Sequence, residues 1–344
     1  MNAQALWFTA PRQVEIRSAA LEPPGPGEVL VRTRVSAISA GTELLIYRGL
    51  APADLPVDDT LPALSGMLVL PLRYGYAAVG RVVGLGDGVP PALEGSRVMA
   101  FQPHADAFTA RVEEIVPLPE SVTEEEAAFL PNLETAVNLV LDGAPRIGEQ
   151  VAVLGQGIVG LLTTALLARM PLASLVTADA YPRRRRAALA WGAHACLDPA
   201  VHDFASELAL HLQAERPYPG ADLTYELSGD PAALDLAIGI TGRNGRIVIG
   251  SWYGTKRAST DFGGRFHRSR LRMISSQVSS LAPELTGAWS KPRRLGVALS
   301  LLPTLPVRDL VTHRFPFERA AEAYRTLDEN PADALQVLLT YGND

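Results

Sequence analysis

Hydrophobic and polar positions fall into two textures along the chain, and the change between them comes near Pro119. Before it, Val29, Val31, Thr33 and Val35 alternate with Leu30, Arg32, Arg34 and Ser36, the period-two pattern of a strand with one buried face. Residues 77–83 and 96–101 predict two more strands, separated by Gly- and Pro-rich punctuation at 23–27, at Ala40-Gly41 and at 84–88. Short strands with frequent turns predict a small barrel-like β domain. After Pro119, Ser121 with Glu124 three residues on has capping-box spacing and predicts a short helix through Phe129. From Gln150 onward, apolar strands (151–154, 174–178, 195–197, 222–227, 246–250) alternate with helices (158–170, 182–191, 203–215, 231–241). Such alternation buries a parallel sheet between layers of helices. The tail is expected to add a helix at 317–328 and a strand at 334–341, and no repeat or low-complexity linker interrupts the pattern.

Composition narrows the class. With 344 residues, 47% hydrophobic and 20% charged, the chain is long enough for two domains with their own cores. A net charge of −6 provides no long-range attraction for nucleic acid or anionic lipid, and the basic run at 183–186 is too short to change that. Cys196 is the sole cysteine, which excludes an intrachain disulfide and a cysteine-based zinc cluster and fits a reducing compartment. Residues 1–8 lack a charged region followed by a long apolar run, so no signal peptide is expected. The apolar segment 158–170 is shorter than the roughly 20 residues a bilayer requires. A soluble cytoplasmic protein with a small-molecule partner, and with neither membrane nor nucleic acid, is the expectation.

The most informative string is Gly155-Gln156-Gly157-Ile158-Val159-Gly160, because it directly follows an apolar strand and opens an apolar helix. Gly155 permits the tight turn, Gly157 lets the backbone approach a pyrophosphate, and Gly160 allows close helix–strand packing. The helix N-terminus adds unpaired N–H groups and a partial positive charge. Asp179 ends the next strand, at the spacing of an acid that accepts hydrogen bonds from ribose hydroxyls. The expected cofactor is therefore NAD. Arg183 and Arg184 keep NADP as the alternative, since a guanidinium there could neutralise a 2′-phosphate. Ser228-Gly229 and Gly250-Ser251 follow the fourth and fifth strands of this region, where ligands gather in open α/β sheets, and are candidate cofactor contacts.

Three further stretches, Gly41-Thr42-Glu43-Leu44, residues 74–83 and residues 144–151, resemble segments of the medium-chain dehydrogenase/reductase (zinc-type alcohol dehydrogenase-like) superfamily. The resemblance implies an α/β protein: a GroES-like β-barrel catalytic domain (1–133 and 278–344) and a Rossmann doubly wound parallel-sheet domain (134–277). It implies that Thr135 packs beside the nicotinamide, and that a homodimer forms through an edge strand near 246–250 or 271–277. Residues 36–49 are most similar to the bacteriochlorophyllide hydroxyethyl dehydrogenase branch, whose members oxidise a secondary alcohol.

The departures from the family pattern are as informative. Ala40, Tyr76 and Pro131 stand where the resemblance puts the catalytic zinc ligands, and Ala77 replaces the Glu beside the second. None of the three offers zinc its usual donor. A zinc-free enzyme is expected, with no metal site, and another group must stabilise the substrate oxygen during hydride transfer. Tyr76 is a candidate because its phenol can donate. His104 is another, expected on a loop bordering the substrate. Glu43 is expected mainly to hold its loop, and Ser39 is a weaker donor. His267 falls in a basic surface patch, and the segment 50–72 is expected to shape the substrate pocket. The leading expectation is an alcohol dehydrogenase or ketone reductase. The rivals are a quinone or enoyl reductase using NADPH and a nucleotide-binding protein without catalysis.

Overall fold

The computed structural model describes residues 2–58, 60–202, 204–212 and 219–342. The chain folds as two units, 1–131 with 299–344, and 132–298. In the first, β1 (Asn2–Ala10) and β2 (Gln13–Ala20) form an antiparallel hairpin that the alternation pattern does not predict. β3 (Glu28–Ile38) is the long strand expected from the valine alternation, extended to Ile38. It is followed by the short helix α1 (Thr42–Tyr47), β4 (Ala78–Leu85), β5 (Arg97–Ala100), β6 (Ala107–Arg111) and β7 (Ile115–Pro117). One side of β3 pairs with β4 along most of its length, while residues 28–32 pair with β6 on the other. The helix expected after Pro119 is α2 (Glu124–Ala127). Its N-cap is Thr123, which exchanges hydrogen bonds with Glu126, and not Ser121 with Glu124. Both pairs have the box spacing, and the reciprocal geometry forms only at the second.

The sequence pattern predicts no element at 130–143, yet α3 (Leu130–Gly143) runs there and carries the chain from one unit to the other. The second unit is a six-stranded, all-parallel sheet: β8 (Gln150–Leu154), β9 (Ser174–Ala178), β10 (Ala195–Leu197), β11 (Ala221–Glu226), β12 (Thr241–Ile249) and β13 (Arg272–Ser275), in the order β10-β9-β8-β11-β12-β13. This is the doubly wound order, with its reversal between β8 and β11. The connecting helices are α4 (Ile158–Leu167), α5 (Pro182–Ala190), α6 (Phe204–His211) and α7 (Ala233–Ile240). Residues 203 and 213–215 of the helix expected at 203–215 lie outside the described residues. In α4, Leu161, Leu162 and Leu167 are fully buried, each contributing roughly 1.5–3 kcal/mol of apolar transfer. Of the two edge strands expected from resemblance, β12 is paired on both sides and only β13 is an edge.

The chain returns to the first unit at Leu299, inside α8 (Lys291–Leu301), and not at 278. The reason is Arg294, 1% exposed, which binds Glu134 (3.0 Å), Asn138 (2.5 Å) and the carbonyl of Ser280, tying residues 278–298 to α3. Past α8, β14 (Val311–Pro316), α9 (Ala320–Glu329) and β15 (Gln336–Thr340) complete the first unit. β15 pairs with residues 35–38 of β3, giving the seven-stranded sheet β14-β15-β3-β4-β5-β7 with β6 on β3. The fold is thus a GroES-like β unit and a Rossmann unit. Among the described residues no helix is long and apolar enough to cross a membrane.

Candidate active site and cofactor cradle

The glycine turn does what its sequence demands of a tight turn. Gly155 has φ +90°, and a Cβ there would lie 2.5 Å from Ser228 Cα. A Cβ on Gly160 would lie 2.0 Å from the Gly155 carbonyl oxygen, so the helix can start this close only without one. Over Gly157 the nearest heavy atom is Arg184 Nη1 at 4.0 Å, and no side chain caps the start of α4 at Ile158 and Val159. That open space beside uncapped N–H groups fits a pyrophosphate. Gln156 turns inward: its amide donates to the Gly155 carbonyl (3.1 Å) and accepts from the Thr164 hydroxyl (3.0 Å), pinning the turn to its helix.

Asp179 is buried, and its carboxylate accepts from the backbone N–H of Gln156 (Oδ2, 2.8 Å) and of Tyr181 (Oδ1, 2.8 Å). It therefore joins the ends of β8 and β9 while keeping further lone pairs for a ligand. Arg184 reaches to 3.8 Å from Asp179 Oδ2 and stacks on the Tyr181 ring at 4.7 Å, whereas Arg183 is exposed. Arg185, not singled out by sequence, is bound to the carbonyls of Asp179 and Ala180 and to Asp198. Thr135 lies half-buried in α3.

Ser228-Gly229 and Gly250-Ser251 form one wall. Gly229 N–H donates to Ser251 Oγ (2.9 Å), and Gly250 N–H donates to the Glu226 carbonyl (3.1 Å). Sequence reasoning missed the centre of this wall: the Glu226 carboxylate accepts from the Ser228 N–H (2.8 Å), the Ser228 hydroxyl and the Tyr253 phenol. Burial first, and then the Glu226 acceptor, pushes the Tyr253 phenol well above its ordinary range, so it stays a donor.

In the first unit, Ser39, Glu43, Tyr76 and His104 are brought into one hydrogen-bonded set. Tyr76 OH donates to Ser39 Oγ at 2.5 Å, and both residues are partly exposed. Burial raises the Tyr76 phenol to about 12, so it is a neutral donor at physiological pH. Beneath them, Glu43 Oε1 accepts the Ser39 N–H (2.8 Å), and Oε2 accepts from His104 Nε2 (3.0 Å) and from Tyr324 OH. His104 Nδ1 meets Ser36 Oγ at 2.6 Å, and Ser36 in turn meets Tyr341 OH at 2.9 Å. A single tautomer satisfies the set, with Tyr341 donating to Ser36, Ser36 to Nδ1, and Nε2–H to Glu43.

His104 is thus not on a loop open to substrate. It is 0% exposed with both ring nitrogens engaged, under Gly75, where φ is +127° and a Cβ would lie 2.7 Å from its Cδ2. Tyr324 and Tyr341 come from α9 and the end of β15, about three hundred residues away, and carry no local signal. At the positions matched to metal ligands, Ala40 and Pro131 present no side-chain donor, and Tyr76 is bonded to Ser39.

No family model matches the chain. It is 28% identical to the 2-desacetyl-2-hydroxyethyl bacteriochlorophyllide A dehydrogenase of Rhodobacter capsulatus, over 99% of each chain, so the likeness noted in residues 36–49 runs through the whole sequence. It is 25% identical to the zinc-type alcohol dehydrogenase-like protein YphC of Escherichia coli, over 90% of this chain and 91% of that one. The structure of a protein described as a short chain alcohol dehydrogenase (rspB) of Escherichia coli CFT073, complexed with NADH, superposes with a TM-score of 0.78 at 19% identity, covering 98% of this chain and 99% of that one. In sequence the chain is similar over nearly its whole length to a bacteriochlorophyllide A dehydrogenase and to a zinc-type alcohol dehydrogenase-like protein, and in fold to an alcohol dehydrogenase.

Proposed function

We propose that this chain is an NAD-dependent oxidoreductase that interconverts a secondary alcohol and a ketone without zinc. The observation that carries the reading is the Tyr76–Ser39 hydroxyl pair, at 2.5 Å, standing where the resemblance puts a metal ligand. The Rossmann unit would hold the dinucleotide on residues Gly155 to Gly160, with Asp179 and Arg184 at the adenosine end and Ser228, Gly229, Gly250 and Ser251 along the other half. Bound there, the nicotinamide supplies the hydride or accepts it.

The chain's own residues supply the stabilisation of the oxygen. By accepting the Tyr76 proton, Ser39 Oγ turns its own hydrogen outward and becomes a polarised donor to a substrate carbonyl or alcohol oxygen. Glu43, through the Ser39 N–H, and His104, through Glu43, act as positioning residues and touch no substrate in this reading. Asp179 favours NAD over NADP, because a 2′-phosphate would meet its carboxylate. The carboxylate also counts against a quinone or enoyl reductase using NADPH. A homodimer through the open edge of β13 belongs to the same proposal.

Replacing Tyr76 with Phe, or Ser39 with Ala, is expected to lower kcat on a secondary alcohol by about 10²–10³ while leaving the NADH dissociation constant unchanged. Full activity in both variants would remove the hydroxyl pair from the mechanism. Tight NADH binding with no turnover across a broad alcohol and ketone panel would favour a non-catalytic protein.

A further inference from the structure

The cradle contains a buried charge of unusual character. Glu226 ends β11 at the reversal of strand order and is 0% exposed, and the two residues that follow it back the glycine turn: a Cβ on Gly155 would come within 2.6 Å of Leu227 and 2.5 Å of Ser228. Its carboxylate is bound by neutral donors alone, the Ser228 N–H and hydroxyl and the Tyr253 phenol. The other buried carboxylates of these units each have a cation or imidazole at hand: Glu43 has His104 at 3.0 Å, Glu134 has Arg294 at 3.0 Å, and Asp179 has Arg184 at 3.8 Å. Among the described residues, no Lys, Arg or His forms an ion pair with Glu226. Lys256, in the loop after β12, gives its ammonium to the Gly229 carbonyl instead. An uncompensated carboxylate is costly to bury, and the cost falls when a cation docks beside it.

The carboxyl ends of β11, β12 and β13 form the second mononucleotide half of a doubly wound sheet, the half that takes the nicotinamide. The oxidised nicotinamide ring is a cation and the reduced ring is neutral. We infer that Glu226 is the counter-charge of the oxidised ring, so that the site favours bound NAD+ over bound NADH and biases the bound couple towards carbonyl reduction. In that direction a carbonyl carbon would gain the hydride and its oxygen a proton drawn from solvent, and the positively charged oxidised form would be the one that the Glu226 carboxylate favours. Tyr253 and Ser228 hold the carboxylate in place without neutralising it. The inference rests on the proposal that the Rossmann unit binds a nicotinamide dinucleotide.

The test is calorimetric titration of the full chain with NAD+ and with NADH. Glu226→Gln is expected to raise the ratio of the NAD+ to the NADH dissociation constant by about tenfold, the scale of one charge contact in a partly buried site. Glu226→Asp, which keeps the charge, and Tyr253→Phe, which loosens the wall but keeps the charge, should leave that ratio within about twofold of the parent. If Glu226→Gln does not fold, Glu226→Gln combined with Tyr253→Phe removes the donor along with its acceptor and carries the same expectation. An unchanged ratio in the charge-neutral variants, or equal weakening of both forms, overturns the inference and leaves dinucleotide binding standing. Failure of the parent protein to bind either form overturns the underlying proposal instead.

Discussion

Gly75 shows how one residue's missing side chain shapes the candidate site. With φ at +127°, and the space a Cβ would fill taken by the His104 ring at 2.7 Å, the segment Tyr74–Tyr76 lies directly on a buried imidazole. That imidazole orients Glu43, which fixes the Ser39 N–H, and Ser39 accepts the Tyr76 proton. Gly75→Ala is expected to destabilise the protein by about 2–4 kcal/mol, from positive-φ strain plus displacement of the ring. Urea unfolding checks this, and a loss below experimental error would mean that the ring is free to move. The residues of this chain are legible unevenly. Tyr76, Ser39 and Glu43 can be found because they flank positions with family-matched neighbours. His104 lies on the loop after β5, as its place in the sequence suggests, but that place does not reveal its complete burial. Tyr324 and Tyr341 reach the cluster only through the return of the chain in α9 and β15, a contact no local pattern encodes.

Among the elements, α3 is the instructive one. Its side chains Glu134, Asn138 and Asp142 follow at intervals of four and so share one face of the helix. Arg294 meets the first two, and the Ser276 hydroxyl donates to the third at 2.6 Å. Burial raises the Glu134 carboxyl and Arg294 opposes the rise, so the pair is coupled. Removing the guanidinium with Arg294→Met would leave Glu134 buried and unpaired, and is expected to cost about 3–5 kcal/mol of stability. Adding Glu134→Gln to that variant should recover part of the loss, because the uncompensated charge is then gone. No recovery in thermal melts would mean that packing, not charge, dominates. The polar row is present in the sequence at helical spacing, but the apolar strand–helix alternation that begins at Gln150 draws the boundary past it. The central strands of the Rossmann unit, β8, β9 and β11, are by contrast legible as apolar runs because they are buried on both faces, whereas the edge strand β13, with Arg272 and Ser275 exposed, gives no such run. The β1–β2 hairpin carries a short alternation, Val14 and Ile16 between Gln13, Glu15 and Arg17, but no residue of β2 is fully buried and the run is too brief to stand out.

At the scale of the whole molecule, two units divide the labour. The Rossmann unit presents a turn stripped of side chains, uncapped N–H groups at α4 and a buried acid at each side of the strand-order reversal. The β unit presents the bonded hydroxyls of Ser39 and Tyr76, two partly exposed residues, over a buried Glu–His pair. The central claim is that these hydroxyls replace the metal. It is tested most directly by assaying NAD+ reduction with secondary alcohols before and after exhaustive dialysis against a chelator, with the metal content measured in the same samples. The account predicts far less than one zinc per chain and an unchanged rate. Stoichiometric zinc that leaves together with the activity, and restores it on return, would contradict it.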